Sequence, residues 1–368
     1  MKANLYQGFF DRGERMRAEC RFTQAIHWFE RARTAAQPLD REGELEALMA
    51  LGDCERMIGA YPSAREHYEV AANLARRVRA VARQADARVG LALSLRATAG
   101  QEEAVRQLTA AVQLYQELKD WEGRAFALWA CGGAYRFGGR LLHAVTCYRQ
   151  ALRLFTAHRH ASGQGYALCG LGGAARVMGN AKASWDYYER ANKLFGDLHD
   201  DFGTAYSFCG LGNALRLDED YDGSLLFFDR AKNVYRTIKD KVSFSYTLWS
   251  EATTHKMVGR LGRAAKLFEK LQELFAQTGD VRGTVYVQLG HGELAALRGE
   301  WRRAELLFKQ GLAEARRRHF RLEACHAELL LALLRQKRGL SAPLAPVITK
   351  YQRLGSAFRS TAFPVNLP

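Results

Sequence analysis

A chain of 368 residues that is 48% hydrophobic can bury a sizeable core, which excludes wholesale disorder. Its 54 Lys and Arg against 39 Asp and Glu leave a net charge of +15 and favour an anionic partner over a cationic one. No window approaches the roughly 18 apolar residues of a membrane span. Seven cysteines with no C-x-x-C pair indicate neither a disulfide framework nor a zinc ribbon, so a cytoplasmic protein with reduced thiols is expected.

Only 6 prolines, and an abundance of Ala, Leu, Arg and Glu, favour helix over sheet from the first residues onward. The opening "MKANLYQGFFDRGERMR" has no apolar stretch of signal-peptide length. Two helix–turn–helix copies follow with a less regular pattern, around Gly13, Ala25 and Phe29 and around Gly52, Ala64 and Tyr68. From there a period of 40 residues is strict. A small residue inside the first helix falls at Gly132, Gly172, Gly212, Ala252 and Gly292. Another opens the second helix at Ala104, Ala144, Ser184, Ser224, Ala264 and Ala304. Four residues later comes Leu108, Tyr148, Tyr188, Phe228, Phe268 or Phe308. Gly172 and its equivalents let one helix approach its partner closely, and the large ring fills the space beside it. Gly123, Gly163, Gly203, Ser243 and Gly283 mark the turns between units, where a small residue suits a helix C-cap or the next entry. After Gly339 the pattern stops. The remaining "SAPLAPVITKYQRLGSAFRSTAFPVNLP" has room for one capping helix and an irregular, apolar end that could fold back into a groove.

One stretch, "CGLGGAARVMG", places Gly170, Gly172 and Ala175 at G-x-G-x-x-A spacing, the form of a dinucleotide-binding turn. The same glycines return 40 residues later in "CGLGNALRL", and no strand precedes either copy, so helix packing explains them better.

These positions resemble the tetratricopeptide repeat family, whose helix pairs carry a small residue and an aromatic at these places. The resemblance covers residues 1–339, as eight helix pairs and a partial ninth from Arg321, with residues 340–368 as a capping helix and tail. It implies an all-α, right-handed superhelical solenoid of about eight antiparallel helix pairs. The 40-residue unit is longer than the family's usual one and is similar to that of Pins-type adaptor arrays, which hold extended peptides in their inner groove.

In such a fold the first helix of each pair lines the concave face, so equivalent positions form columns. One column runs Arg17, Arg56, Arg96, Arg136, Arg176, Arg216 and Lys256. Another runs Phe126, Tyr166, Tyr206, Tyr246 and Tyr286, and between them lie Trp129, Cys169, Cys209 and Trp249, then Gly133, Gly173, Asn213 and Thr253. A lone basic residue on a helix ordinarily faces water, but seven in register suggest a stripe. In these columns no Asp or Glu accompanies Arg136, Arg176, Arg216 and Lys256, so a largely unmatched positive groove is expected there. Asn213 could pair with a peptide backbone, and Arg176 could favour a thiolate at Cys169.

No metal-ligand spacing, cofactor motif or recurring catalytic arrangement stands out, so a binding protein rather than an enzyme is expected. The expected activity is a protein-interaction scaffold that captures an acidic or extended peptide or protein segment, its carboxylates meeting the basic column and its apolar groups the aromatics. Basic residues interleaved with aromatic faces also suit single-stranded nucleic acid. A small-molecule sensor or an enzyme using the same cavity is the third alternative.

Overall fold

The computed structural model describes residues 2–36, 40–97 and 100–368, and among these every regular element is a helix. The chain divides into two compact units, residues 1–134 and 135–368. The first holds α1 (Lys2–Ala18), α2 (Phe22–Ala36), α3 (Arg41–Met57), α4 (Tyr61–Arg77), α5 (Val81–Ala97), α6 (Gln101–Glu117) and most of α7 (Trp121–Phe137). The second begins in the last turn of α7. It continues through α8 (Leu141–Ala157), α9 (Ala161–Val177), α10 (Ala181–Asp197), α11 (Asp201–Leu217) and α12 (Tyr221–Thr237). Next come α13 (Lys241–Met257), α14 (Leu261–Thr278), α15 (Val281–Leu297), α16 (Trp301–Arg317), α17 (Arg321–Lys337) and α18 (Ala345–Arg353). No described helix is long and apolar enough to cross a membrane.

From α3 to α17 each helix starts 20 residues after the last, so the copy containing Gly52, Ala64 and Tyr68 is in full register and only the first copy is offset, by one residue. The connections explain the strictness. Each described helix-to-helix turn passes once through the left-handed region, at Gly139 or Gly179 where the missing Cβ suits it, but equally at Arg159 (φ 53°) and His199 (φ 53°). Around Gly179 the Asn180 amide donates to the Ala175 carbonyl and the Gly179 amide to that of Arg176, a Schellman closure. The residue that completes this closure also caps the next helix. The side chains of Asp120, Asn180, Asp200, Asp220, Asp240 and Asp280 accept from the amide three residues on. One insertion would therefore break two helix ends at once.

The glycines at 123, 163, 203 and 283 thus lie inside the first turn of the following helix, at its entry and not at the C-cap of the preceding one. They are small because a ring from the preceding helix fills their space: a Cβ at Gly163, Gly203 or Gly283 would fall 2.3 Å from Phe155, Phe195 or Phe275. Tyr188 is held in the same way between Gly172 and Gly210, each leaving no room for a Cβ.

Two kinds of helix result. Even-numbered helices bury one stripe, as in Ala144, Tyr148, Ala151 and Phe155 of α8, and turn a polar face outward. From α3 onward the odd-numbered helices are buried over most of their surface: α9 encloses Gly165, Leu168, Cys169, Leu171, Ala174 and Val177 among others. In the second unit α9, α11, α13, α15 and α17 pack side by side in sequence, which makes them the inner layer. The Leu141 amide at the start of α8 donates to the Leu354 carbonyl after α18, so the first and last helices of this unit meet.

Candidate binding groove on the inner helix layer

In the first unit the inner layer encloses a cavity of about 500 Å³ lined by charges of both signs, Glu14, Glu46, Asp53 and Asp86 with Arg17, Arg56 and Arg83. Arg17 faces Asp53 at 3.7 Å, Arg83 pairs with Glu46, and the hydroxyls of Tyr68 and Tyr115 donate to Asp53 and Asp86. Phe126, 42% exposed, lines this cavity, and Trp129 lies 5.6 Å from its ring.

In the second unit the chain's own last residues lie along the inner layer. After α18 the Ser356 hydroxyl donates to the Val177 carbonyl and the Ala357 amide to that of Met178, at the end of α9. The segment then passes Phe308 of α16, on which Phe363 stacks. It returns over α15, α13 and α11. The Val365 amide donates to Glu293 Oε1 (2.8 Å), and Lys256 Nζ donates to the Val365 carbonyl (2.8 Å). Arg216 donates to Asn366 Oδ1 and to the Leu367 carbonyl, and the Asn366 amide group returns a bond to the Arg216 carbonyl (2.7 Å). Val365 and Leu367 are buried on either side of Asn366, the alternation of an extended strand.

The expected positive stripe is therefore corrected at two places. Lys256 is 2% exposed and pairs with Glu293 from the next inner helix, a partner 37 residues away that column reading did not join to it. Arg216 is wholly buried and its hydrogen bonds go to the tail and to Asn213. Burial, with the Arg176 charge close by, pulls the Arg216 guanidinium down to about 9. Asn213 is not free for a peptide backbone: its amide donates to the Cys209 carbonyl and its oxygen accepts from Arg216.

Beside the tail a second cavity of about 230 Å³ is lined by Arg136, Arg176, Tyr206, Cys209, Asn213, Tyr246, Trp249 and Tyr286, with Pro368 at its edge. Tyr166 and Tyr246 are tied by their hydroxyls to the helix-capping Asp200 and Asp280. Cys169 is buried against Tyr188 and Leu168, and burial raises its thiol well above the usual range, so the expected thiolate beside Arg176 does not form. Sequence reasoning missed Arg282, which carries Glu323 as counter-ion and covers the Phe137 ring. Its position repeats in no column, so no periodic signal marked it. Glu323 also accepts from Tyr286 Oη (2.9 Å), and His326 beside it contacts Tyr351 Oη (2.6 Å). Among the described residues no cluster of His, Cys, Asp and Glu could hold a metal ion.

Helix pairs of fixed length, stacked so that every first helix joins an inner layer, define a helical-repeat protein of the solenoid class. Residues 12–77 match the tetratricopeptide repeat family model. No curated protein sequence matches it. Among solved structures it is similar to the apo form of RapI, with 14% identity, TM-score 0.65, and 74% of this chain and 99% of that one covered. A Rap protein complexed with competence and sporulation factor is similar at 10% identity and TM-score 0.61, covering 92% and 99%. The apo quorum sensor NprR from B. thuringiensis is similar at 13% identity and TM-score 0.57, covering 95% and 98%. At these identities the likeness is one of fold.

Proposed function

We propose that this chain is a protein-interaction scaffold whose second unit holds an extended, partly acidic peptide or protein segment on its inner helix layer. The observation that carries this reading is the tail itself. Residues 365–367 lie extended there, and Lys256, Arg216 and Glu293 bond to their main chain, a mode of recognition open to segments of other sequence. The similar Rap protein that is complexed with competence and sporulation factor offers an analogy of fold. A partner takes the tail's place, with a carboxylate opposite Arg216 where the tail offers the neutral oxygen of Asn366.

The test uses the tail as its own probe. A synthetic peptide of residues 356–368, labelled and added to a chain ending at Gly355, binds by fluorescence anisotropy, whereas the full chain binds it far more weakly. Asn366→Asp in the peptide exchanges a neutral bond to Arg216 for a charge-assisted one, roughly twice as strong, but forfeits the bond that the Asn366 amide group donates to the Arg216 carbonyl, so the net tightening is at most about tenfold. Arg216→Glu in the protein abolishes binding. No association at millimolar peptide, or the same affinity for the Asp peptide, overturns the reading or its acidic preference respectively.

A further inference from the structure

The 230 Å³ cavity beside the tail has charges that the tail does not satisfy. Of the cations that line it, Arg282 has Glu323, while Lys256 and Arg216 on the tail's side have Glu293 and the tail. Among the described residues Arg136 and Arg176 make no ion pair. Nε of Arg136 and Nη1 of Arg176 are buried with no hydrogen-bond acceptor. Arg136 rests over the Phe137 ring at 4.8 Å, and a Cβ on Gly173, three residues before Arg176, would come within 3.6 Å of its guanidinium. The Tyr188 hydroxyl borders the same point. Two guanidiniums with buried, unanswered N–H groups are costly, and an anion between them would answer both. Tyr206, Tyr246, Trp249 and Tyr286 among the remaining walls are flat and mostly apolar.

We infer that this cavity binds a small molecule that carries a carboxylate or phosphate on a flat ring, the anion between Arg136 and Arg176 and the ring among Tyr206, Trp249 and Tyr286. Fork-shaped guanidiniums match the paired oxygens of either group, and the aromatic walls match a ring rather than an aliphatic chain. The site is distinct from the peptide reading, since the tail bonds to Arg216, Lys256 and Glu293 and the anion to Arg136 and Arg176, although the two adjoin at Asn213, Trp249 and Pro368.

Calorimetric titration and thermal melts of the full chain with phenyl phosphate, benzoate and neutral phenol test it. Phenyl phosphate and benzoate bind and raise the melting temperature, while phenol does neither. Arg136→Met and Arg176→Met each weaken anion binding at least about tenfold, the worth of one hydrogen bond to a charged group. The unliganded double variant melts no lower than the parent, because it sheds two guanidinium N–H groups that are buried without an acceptor. Failure of both anions to bind at millimolar concentration, unchanged affinity in the arginine variants, or a lower melt of the unliganded double variant overturns the inference. Failure of the peptide to bind the shortened chain leaves all of these readouts intact and so counts against the scaffold reading alone.

Discussion

His326 shows how a single buried group sets a pH response. It is wholly buried against Tyr351, and burial pulls its imidazole down to about 4 although Glu323 stands close by. In the unfolded chain it takes up a proton near the ordinary value of about 6.5, which the folded form refuses until about 4. Stability is therefore complete above the unfolded value and declines as pH falls through this window, by about 3 kcal/mol in all. Burial also works against the Glu323 carboxylate, but Arg282 more than offsets it and holds that group below the usual range, so its contribution too is lost toward acid. Urea unfolding at pH 7 and pH 4.5 should show the decline. His326→Gln, which keeps a hydrogen-bonding group for Tyr351, should remove most of it; an equally steep decline in the variant would show that another group titrates.

At the scale of helices, fit between a ring and a missing Cβ sets the spacing of neighbours. A methyl on Gly210 would meet the Tyr188 ring at 2.3 Å, and Tyr188 cannot retreat because Gly172 bounds its other face. Gly210→Ala should therefore destabilise the second unit by about 1–3 kcal/mol, although alanine is the better helix former. A thermal melt at or above the parent's would show that the helices can part without cost. The caps are a separate contribution. Asp200 accepts from the Gly203 amide and also from Tyr166 Oη, so Asp200→Ala should cost about 1–2 kcal/mol by urea unfolding, toward the upper end for a cap. Asp200→Asn should recover most of it.

For the second unit as a whole, the tail acts as a filling for the inner layer. Residues 356–368 contain no helix, so a chain ending at Gly355 should keep its far-ultraviolet circular dichroism while melting lower. Val365 and Leu367 are buried, and their loss should cost about 2–4 kcal/mol after the entropy of ordering the segment is regained. Unchanged melting would mean that the tail rests on the layer without stabilising it. The first unit's cavity carries Glu14, Glu46, Asp53 and Asp86 in its lining, carboxylates that should repel an anion there, which the same calorimetric titrations can check on the Arg136→Met, Arg176→Met chain.

The helix pairs and their length were legible in the sequence because each unit repeats the same local problem. A ring at Tyr188 needs a small residue at Gly172, and Asp200 needs an amide three residues on, so packing and capping recur every 40 residues and can be found by self-comparison. The columns likewise brought Arg136, Arg176, Tyr206, Trp249 and Tyr286 to one cavity. Periodicity carries no information about contacts that occur once. Glu293 meeting Lys256, Glu323 meeting Arg282, and Asn366 meeting Arg216 each join residues far apart in the chain with no repeat to announce them. Which basic side chains keep an unanswered charge therefore depended on how the inner helices curve and on where an unrepeated tail comes to lie. Only the tertiary structure decides that, because burial and pairing are properties of distance in space.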